Sequence, residues 1–337
     1  MAILRRLVFC SMMVLLLAPV GTGAAGKEPD KLIFGMNYIW NGSHGFFIPA
    51  IKLGYYREAN LDVELKRGYG SGDAIKRVVT GQADIAFTDM SALVVARSQE
   101  MKVKTIAVIN TLAPHCIIAR RDRGINVLKD LEGKTFGGSK AEGIVIVLPT
   151  LCELAGVDFQ KIKLVSVDTD SKDPLLFAGK VDAIGQFAAG GGSRWKRLAK
   201  EANLELAFFP YFNYGFKAYG LSLVASDKLI AEKPDVVRRF LAATMKGVAW
   251  ALDNEEKTVK MFMGFRPEMD EQGFRDTFYD SRNLMVPGMH PNGLGWMEKD
   301  RVKYTVDVMI KTQNLKPVPV EETYTNDFLP RVKPTSK

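Results

Sequence analysis

The sequence predicts an α/β protein with two lobes, each built around a largely parallel sheet. Short apolar strands alternate with helices of roughly ten residues, which is the pattern of βαβ units. The same pattern starts again near Val127. The chain of 337 residues is also long enough for two cores, because one domain takes roughly 150 residues.

The first 25 residues have the features of a cleaved secretory signal. Arg5 and Arg6 precede an apolar run from Leu7 to Val20, and the small residues Gly23-Ala24-Ala25 follow. An uncleaved anchor is the alternative, but a run of about 14 residues is shorter than the roughly 20 that span a bilayer. Removing 25 of the 337 residues leaves a mature chain of 312 residues, which we expect in the periplasm.

The composition is that of an ordinary globular protein, with 47% hydrophobic and 25% charged residues. Disordered and fibrous proteins are therefore excluded. The net charge of +8 falls to +6 once the two signal arginines are removed, and acidic residues are interspersed along the chain. We therefore expect no nucleic-acid partner.

The first half of the chain alternates strands and helices in order. Residues 61–65 alternate strictly between apolar and polar side chains, as a half-buried strand does, and a glycine-rich turn at 68–73 then opens a helix. The other predicted strands are 32–37, 83–87 and 103–110, and the other predicted helices are 46–56 and 90–99.

The second half repeats this plan and then becomes helical. A short helix, a turn and a strand at 127–136 lead into a helix that starts at Ser139 and reaches Leu154. The following predicted elements are strand 163–167, helix 174–179, strand 181–187, helix 194–202, strand 221–225, and the helices 234–252 and 297–312.

Signatures of catalysis and of cofactor binding are missing from the sequence. The three histidines, His44, His115 and His290, lie far apart and have no metal-site spacing. The glycines after the second strand do not complete a dinucleotide fingerprint, because Asp73 stands at its third glycine position. The sequence therefore predicts no catalytic residue, no metal site and no cofactor.

Small polar residues recur where a predicted strand gives way to a helix. At the carboxyl edge of a sheet, a helix N-terminus offers free N–H groups and a positive dipole end to a ligand. Helix capping alone is the alternative at each position. The four places are Asn41-Gly42-Ser43-His44, Gly70-Ser71-Gly72-Asp73, Thr88-Asp89 and Ser139-Lys140.

Aromatic residues and cysteines leave alternatives open. Trp40, beside Asn41 and His44, can stack on a flat ligand or belong to the core. The aromatic segment 210–220 can touch the ligand or pack at the junction of the lobes. Cys116 and Cys152 can form one disulfide or remain plain buried thiols.

Several stretches match those of a known family. They are Trp40-Asn41-x-x-His44, the run 50–63 (AIKLGYYREANLDV), the run 81–86 (GQADIA), the run 127–134 (VLKDLEGK) and the closing run 324–329 (YTNDFL). On these residues the chain resembles the exported substrate-binding proteins of ABC importers for nitrate, sulfonates, taurine and thiamine-pyrimidine precursors. Asn60 stands where that family has glycine, in a left-handed turn position that Asn tolerates.

The resemblance implies a type II periplasmic-binding-protein fold, with two α/β lobes joined by a two-crossing hinge. It places residues 26–114 and 216–337 in the first lobe and 115–215 in the second. The crossings then fall near Pro114-His115 and at 215–219. It further implies a monomer that captures its ligand between the lobes and delivers it to a membrane permease with its ATPase.

The expected ligand is a small, polar, aromatic or heteroaromatic molecule. Trp40 would stack on it, Asn41 and His44 would hydrogen-bond to it, and the helix starts at Ser71 and Ser139 would hold a carboxylate, a sulfonate or a ring oxygen. The complete set of expected ligand-binding residues is Trp40, Asn41, His44, Gly70, Ser71, Thr88, Asp89, His115, Ser139, Lys140, Gln186, Tyr214 and Tyr219.

Two other functions share this fold. One is a periplasmic sensor that reports its ligand to a membrane receptor. The other is an enzyme similar to the thiamine-pyrimidine synthases, which carry a cysteine-rich, iron-associated motif that this sequence lacks. We expect the binding protein rather than the enzyme.

Overall fold

The computed structural model describes residues 27–335, so the predicted signal at 1–25 lies outside the described residues. Within this range the strands are β1 Asp30–Gly35, β2 Leu61–Lys66, β3 Ile85–Asp89, β4 Val103–Val108, β5 Cys116–Arg120, β6 Thr135–Gly137, β7 Lys163–Val165, β8 Ala183–Gln186, β9 Leu206–Pro210 and β10 Leu221–Ser226. The α-helices are α1 Ile48–Lys52, α2 Tyr55–Glu58, α3 Ser71–Val79, α4 Met90–Ser98, α5 Gly143–Ala155, α6 Lys172–Phe177, α7 Ser193–Glu201, α8 Asp227–Glu232, α9 Pro234–Asp253, α10 Glu255–Phe265, α11 Glu271–Met285 and α12 Lys299–Gln313.

The first sheet has the strand order β2-β1-β3-β10-β4. Strand β1 pairs in parallel with β2 and β3, whereas β10 runs antiparallel to its neighbours β3 and β4. Both faces are covered by helices, which is why these strands are mainly apolar. On one face Phe34 of β1 meets Phe240 of α9, with ring centroids 5.2 Å apart.

The second sheet repeats this plan with the order β7-β6-β8-β5-β9. Strand β6 pairs in parallel with β7 and β8, and β5 runs antiparallel to β8 and β9. Phe136 of β6 and Val147 of α5 lie in one buried cluster on one face, and Trp195 of α7 belongs to the cluster on the other. The cluster that contains Phe136 continues into Met90 of α4 and Val306 of α12, so the core of the second sheet is continuous with the first lobe.

The chain passes twice between the two sheets. It leaves the first sheet after β4, and it returns after β9 to insert β10 between β3 and β4. Two α/β lobes joined by two crossings are thus confirmed. The boundaries at 114/115 and 215/216 stay a prediction. Helix α12 also contacts the second lobe, where Gln313 donates to the Ile146 carbonyl at 2.8 Å.

Most predicted helices differ from the structure by one or two residues at their ends, and two of them differ more. The helix expected at 46–56 is divided into a 3₁₀ helix Gly42–Phe47 and the short α1 and α2, because Gly54 adopts φ +82° between them. The helix expected from Ser139 begins at Gly143 instead. Ser139 accepts a hydrogen bond from the Ala141 N–H at 3.3 Å, and this local turn delays the helix.

The two cysteines of the described chain are both buried and free, so the disulfide considered from the sequence is not formed. Over residues 27–335, none of the helices combines the length and the apolar character that a membrane span requires.

Candidate ligand-binding cleft

A cavity of about 410 Å³ lies between the two lobes, a size within the range of small-molecule sites. The first lobe contributes residues that follow β1 and β4 and residues of α11. The second lobe contributes the end of β8 and the starts of α5, α6 and α7. Strand ends and helix starts therefore surround the cavity, as they do in other open α/β sheets.

Five of the thirteen expected ligand residues line this cavity. They are Trp40, Asn41, Gly70, Ser71 and Gln186. The structure brings these residues together from both lobes. Whether they contact a ligand stays a prediction.

Trp40 is held by aromatic neighbours on the side away from the cavity. Its ring makes edge contacts with His44 and Phe265, at centroid distances of 5.6 and 5.5 Å. The Arg266 guanidinium lies 4.8 Å from the ring centroid. The indole is thus fixed by packing while it forms part of the cavity wall.

His44 is completely buried behind Trp40, and both of its ring nitrogens have partners in the protein. The Asn41 N–H donates to Nδ1 at 3.3 Å, so the proton of the neutral ring sits on Nε2 and is donated to Asn37 Oδ1 at 3.2 Å. Burial lowers the pKa of His44 to about 3. His44 therefore orients Asn37, which itself lines the cavity.

Thr88, Asp89 and His115 are buried and lie outside the cavity wall. Thr88 donates to the Ser71 carbonyl at 2.9 Å, and Asp89 caps α4 by accepting from the Ser91 N–H at 2.8 Å. The His115 ring nitrogen Nε2 lies 3.2 Å from Asp89 Oδ2. These contacts support the capping alternative and hold Ser71 at the cavity.

Four other expected residues also stand away from the cavity wall. Ser139 and Lys140 lie in the turn before α5, because the helix begins only at Gly143. Tyr214 ends a 3₁₀ helix at the second crossing. The Tyr219 hydroxyl accepts from the Glu298 N–H at 3.0 Å, which fixes Tyr219 in the protein interior.

The second-lobe wall contains a buried ion pair that the sequence analysis missed. Lys172 Nζ donates to Glu142 Oε2 at 2.5 Å and to the Gly185 carbonyl at 2.8 Å. Thr169 donates to the other Glu142 oxygen at 3.3 Å. Both charged side chains are 2% exposed or less, so each compensates the buried charge of the other within the wall.

A carboxylate beside this pair is held by two neighbours. Asp173 Oδ1 accepts from Gln186 Nε2 at 2.8 Å and from Trp195 Nε1 at 2.9 Å. Burial and the nearby carboxylates of Glu142, Asp173 and Asp170 raise the pKa of Tyr38 well above its usual range. Carboxylates therefore make up much of this part of the cavity wall.

Asn110 adds a further acceptor to the wall. Its amide nitrogen lies 3.3 Å from the Ser281 carbonyl, which can only accept, so the orientation of the amide is fixed. The Asn110 side-chain oxygen is buried and has no hydrogen-bond partner within residues 27–335. Asn110 lies two residues after the end of β4, whereas the strand predicted from the sequence at 103–110 includes it, so it was not singled out as a strand-end residue.

The family follows from a comparison with sequence models. The model described as NMT1/THI5 like matches residues 41–258. The chain belongs to the NMT1/THI5-like family. The matched range includes lining residues of both lobes, from Asn41 to Leu221, but not Trp40 or the lining residues between Met269 and Leu284.

Curated relatives of this NMT1/THI5-like chain include binding proteins and a synthase. The formylaminopyrimidine-binding protein of Halalkalibacterium halodurans is 22% identical, covering 83% of this chain and 85% of the relative. The riboflavin-binding protein RibY of Chloroflexus aurantiacus is 25% identical, covering 93% and 90%. The 4-amino-5-hydroxymethyl-2-methylpyrimidine phosphate synthase of Legionella pneumophila is 22% identical, covering 91% and 95%.

Solved structures confirm the fold of this NMT1/THI5-like chain. The alkanesulfonate-binding protein SsuA of Xanthomonas axonopodis, bound to MOPS, superposes with a TM-score of 0.68 at 13% identity. The match covers 88% of this chain and 99% of the SsuA chain. The chain therefore has the periplasmic-binding-protein fold that the sequence resemblance implied.

Proposed function

We propose that this protein is an exported solute-binding protein of an ABC importer, and that it captures a small heteroaromatic molecule carrying an amino group. The importer's permease and ATPase would be its partners, and the protein would act as a periplasmic monomer. The relatives that bind formylaminopyrimidine and riboflavin support a nitrogen heterocycle as the ligand. The cavity supports the amino group.

The observation that carries this proposal is the make-up of the cavity wall. Trp40 and Trp195 supply aromatic surface, which suits a flat ring. Four carboxylates line the cavity, those of Glu142, Asp170, Asp173 and Asp270, against the two cations Lys172 and Arg194. An excess of acceptors favours a ligand with N–H donors over an anion.

Both cations are also occupied by the protein. Lys172 is paired with Glu142 in the buried wall. Arg194 lies between two carboxylates, with Asp173 at 3.8 Å and Asp270 at 3.5 Å. An anionic ligand would have to compete with these pairs, so a sulfonate or nitrate is a poorer fit than an aminopyrimidine.

Thermal unfolding of residues 26–337 tests the ligand class. The probes are formylaminopyrimidine, 4-amino-2-methylpyrimidine, riboflavin, a series of alkyl sulfonates, and nitrate. A compound present at 1,000 times its Kd adds about 4 kcal/mol of stability, which raises the Tm by several degrees. We expect this shift with an aminopyrimidine. Stabilisation by sulfonates or nitrate alone would overturn the proposed ligand class.

Cell fractionation tests the proposed export. We expect the protein in the periplasmic fraction, with an intact mass that corresponds to a chain starting near Gly26. A full-length chain that stays with the cytosol would contradict the export and importer roles.

A pyrimidine phosphate synthase is the second candidate, since the Legionella relative with that name matches this chain over 95% of the relative's length. Mass spectrometry of the small molecules carried by the purified protein distinguishes the two functions. A binding protein releases its ligand unchanged. A synthase would release a phosphorylated pyrimidine, and that result would favour the enzyme.

A further inference from the structure

We propose that Asp173 selects ligands that carry an amino group, because its free carboxylate oxygen accepts a hydrogen bond from a ligand N–H. This inference rests on the proposed function, and it names the protein atom that would recognise the amino group. Gln186 and Trp195 then act as positioning residues, which hold the carboxylate in place.

The orientation of Asp173 is set by two donors that meet at one oxygen. Gln186 Nε2 and Trp195 Nε1 both donate to Oδ1, at 2.8 and 2.9 Å. Gln186 ends β8, and Trp195 lies in the first turn of α7. Since the two donors come from different elements of one lobe, they fix the plane of the carboxylate rather than a single bond direction.

The second oxygen, Oδ2, remains available. Arg194 Nε lies 3.8 Å from Oδ2, which is an ion-pair distance but too long for a hydrogen bond, so the hydrogen-bond acceptor site on Oδ2 is still open. Within residues 27–335 no side chain or backbone group donates to Oδ2. The side chain keeps 22% of its surface exposed and lines the cavity, so a ligand can reach this oxygen.

A second acceptor in the same cavity supports a donor-bearing ligand. Asn110 lines the cavity from the first lobe, and its side-chain oxygen is buried without a hydrogen-bond partner among the described residues. A buried carbonyl of this kind is costly unless a donor meets it. The first lobe thus holds an unfilled acceptor at the cavity wall, in addition to Asp173 in the second lobe.

The test compares two ligands that differ only in the group facing Asp173. The probes are 4-amino-2-methylpyrimidine and 4-methoxy-2-methylpyrimidine, titrated by ligand-observed NMR. We expect the wild type to bind the amine about 10-fold more tightly or better, since a hydrogen bond to a charged group is lost with the ether. Asp173→Asn keeps the Oδ1 acceptor and replaces Oδ2 with a donor. We expect this variant to lose the preference or to reverse it.

Asp170→Asn is the matched control. Asp170 also lines the cavity, but its carboxylate is exposed and lies 3.6 Å from Arg67. This variant removes one negative charge from the cleft, so it should keep the preference for the amine. Equal loss of preference in both variants would overturn the assignment and indicate a general charge effect.

The remaining outcomes separate this inference from the proposed function. If the wild type binds both pyrimidines equally, the role of Asp173 is overturned, whereas the proposal of a heteroaromatic ligand stands. This comparison uses only the wild type, so it does not depend on whether a variant folds. If the wild type binds neither pyrimidine, and also does not bind riboflavin, the proposed ligand class fails and the inference fails with it.

Discussion

Arg197 of α7 donates a hydrogen bond from Nε to Asp276 of α11, at 2.9 Å, and so joins the two lobes across one side of the cleft. Ser193 and Asp280 add a second link between the same helices, with the Ser193 hydroxyl 2.6 Å from Asp280 Oδ1. On the other side of the cleft, the Gly72 N–H donates to the Ala141 carbonyl at 2.9 Å. The structure therefore shows the lobes closed.

We expect Arg197→Met to weaken ligand binding by about two- to tenfold, because ligand is retained by the closed form and this substitution removes a hydrogen bond between the two lobes. The Kd for 4-amino-2-methylpyrimidine, measured in 0.05 M and 0.5 M NaCl, checks this. The higher salt concentration should weaken ligand binding more in the wild type than in the variant. The Arg197–Asp276 ion pair is partly exposed, so salt screens it, and only the wild type has it.

Arg275→Met is the control for Arg197→Met. Arg275 is similarly exposed, but it pairs with Glu256 and Glu271, which lie in the same lobe on α10 and α11. Its loss should leave affinity unchanged. Equal weakening in both variants would show that closure does not depend on the Arg197–Asp276 contact.

The buried Glu142–Lys172 pair predicts a strongly non-additive effect on stability. Lys172→Met leaves the Glu142 carboxylate buried without its cation, which we expect to cost about 3–5 kcal/mol of unfolding free energy. Adding Glu142→Gln removes the stranded charge and should recover most of that loss. Urea unfolding of both variants measures this. A cost below about 1 kcal/mol for Lys172→Met would show that the pair is not a structural unit.

Much of the fold could be predicted from local patterns. The alternation at 61–65 and the renewed pattern near Val127 correspond to β2 and to the start of the second lobe's parallel strands. The start of α5 could not be predicted in this way. Ser139 looks like a helix cap in the sequence, but Glu142 precedes the helix, where it pairs with Lys172, 30 residues further along the chain.

The cavity wall was only partly predictable for a similar reason. Trp40 and Asn41 carry a local motif, so sequence reasoning found them. The position of Asp173 depends on Gln186 and Trp195, which are 13 and 22 residues away and meet it only in the folded lobe. Conversely, His44 fits a ligand-binding motif, yet its nitrogens are taken by Asn41 and Asn37.

Trp40 should contribute to affinity through its ring. We expect Trp40→Ala to weaken binding of 4-amino-2-methylpyrimidine by about fivefold or more, since a stacking contact is worth roughly 1 kcal/mol. Trp40→Phe keeps a smaller ring, so its affinity should lie between those of the wild type and Trp40→Ala. The control is Trp296→Phe, because Trp296 stacks on His290 outside the cavity wall. Unchanged affinity in Trp40→Ala would remove Trp40 from the ligand contacts.

His44 predicts a specific loss of stability in mild acid. Burial lowers its pKa to about 3, whereas an unfolded histidine titrates near 6.5. As the pH falls below about 6.5, the unfolded chain binds a proton that the folded chain does not, so stability falls with pH until about pH 3. Between pH 7 and pH 5 this group alone should cost about 2 kcal/mol.

His44→Gln isolates that contribution, because glutamine can still donate to Asn37 but does not titrate. Urea unfolding at pH 7 and pH 5 should show a smaller drop in the variant than in the wild type, by about 2 kcal/mol, whatever the variant's stability at pH 7. Other titrating groups affect both proteins alike and cancel in this difference. Equal drops would mean that His44 takes up a proton in the folded protein, and the protonated Nδ1 could then no longer accept the Asn41 N–H.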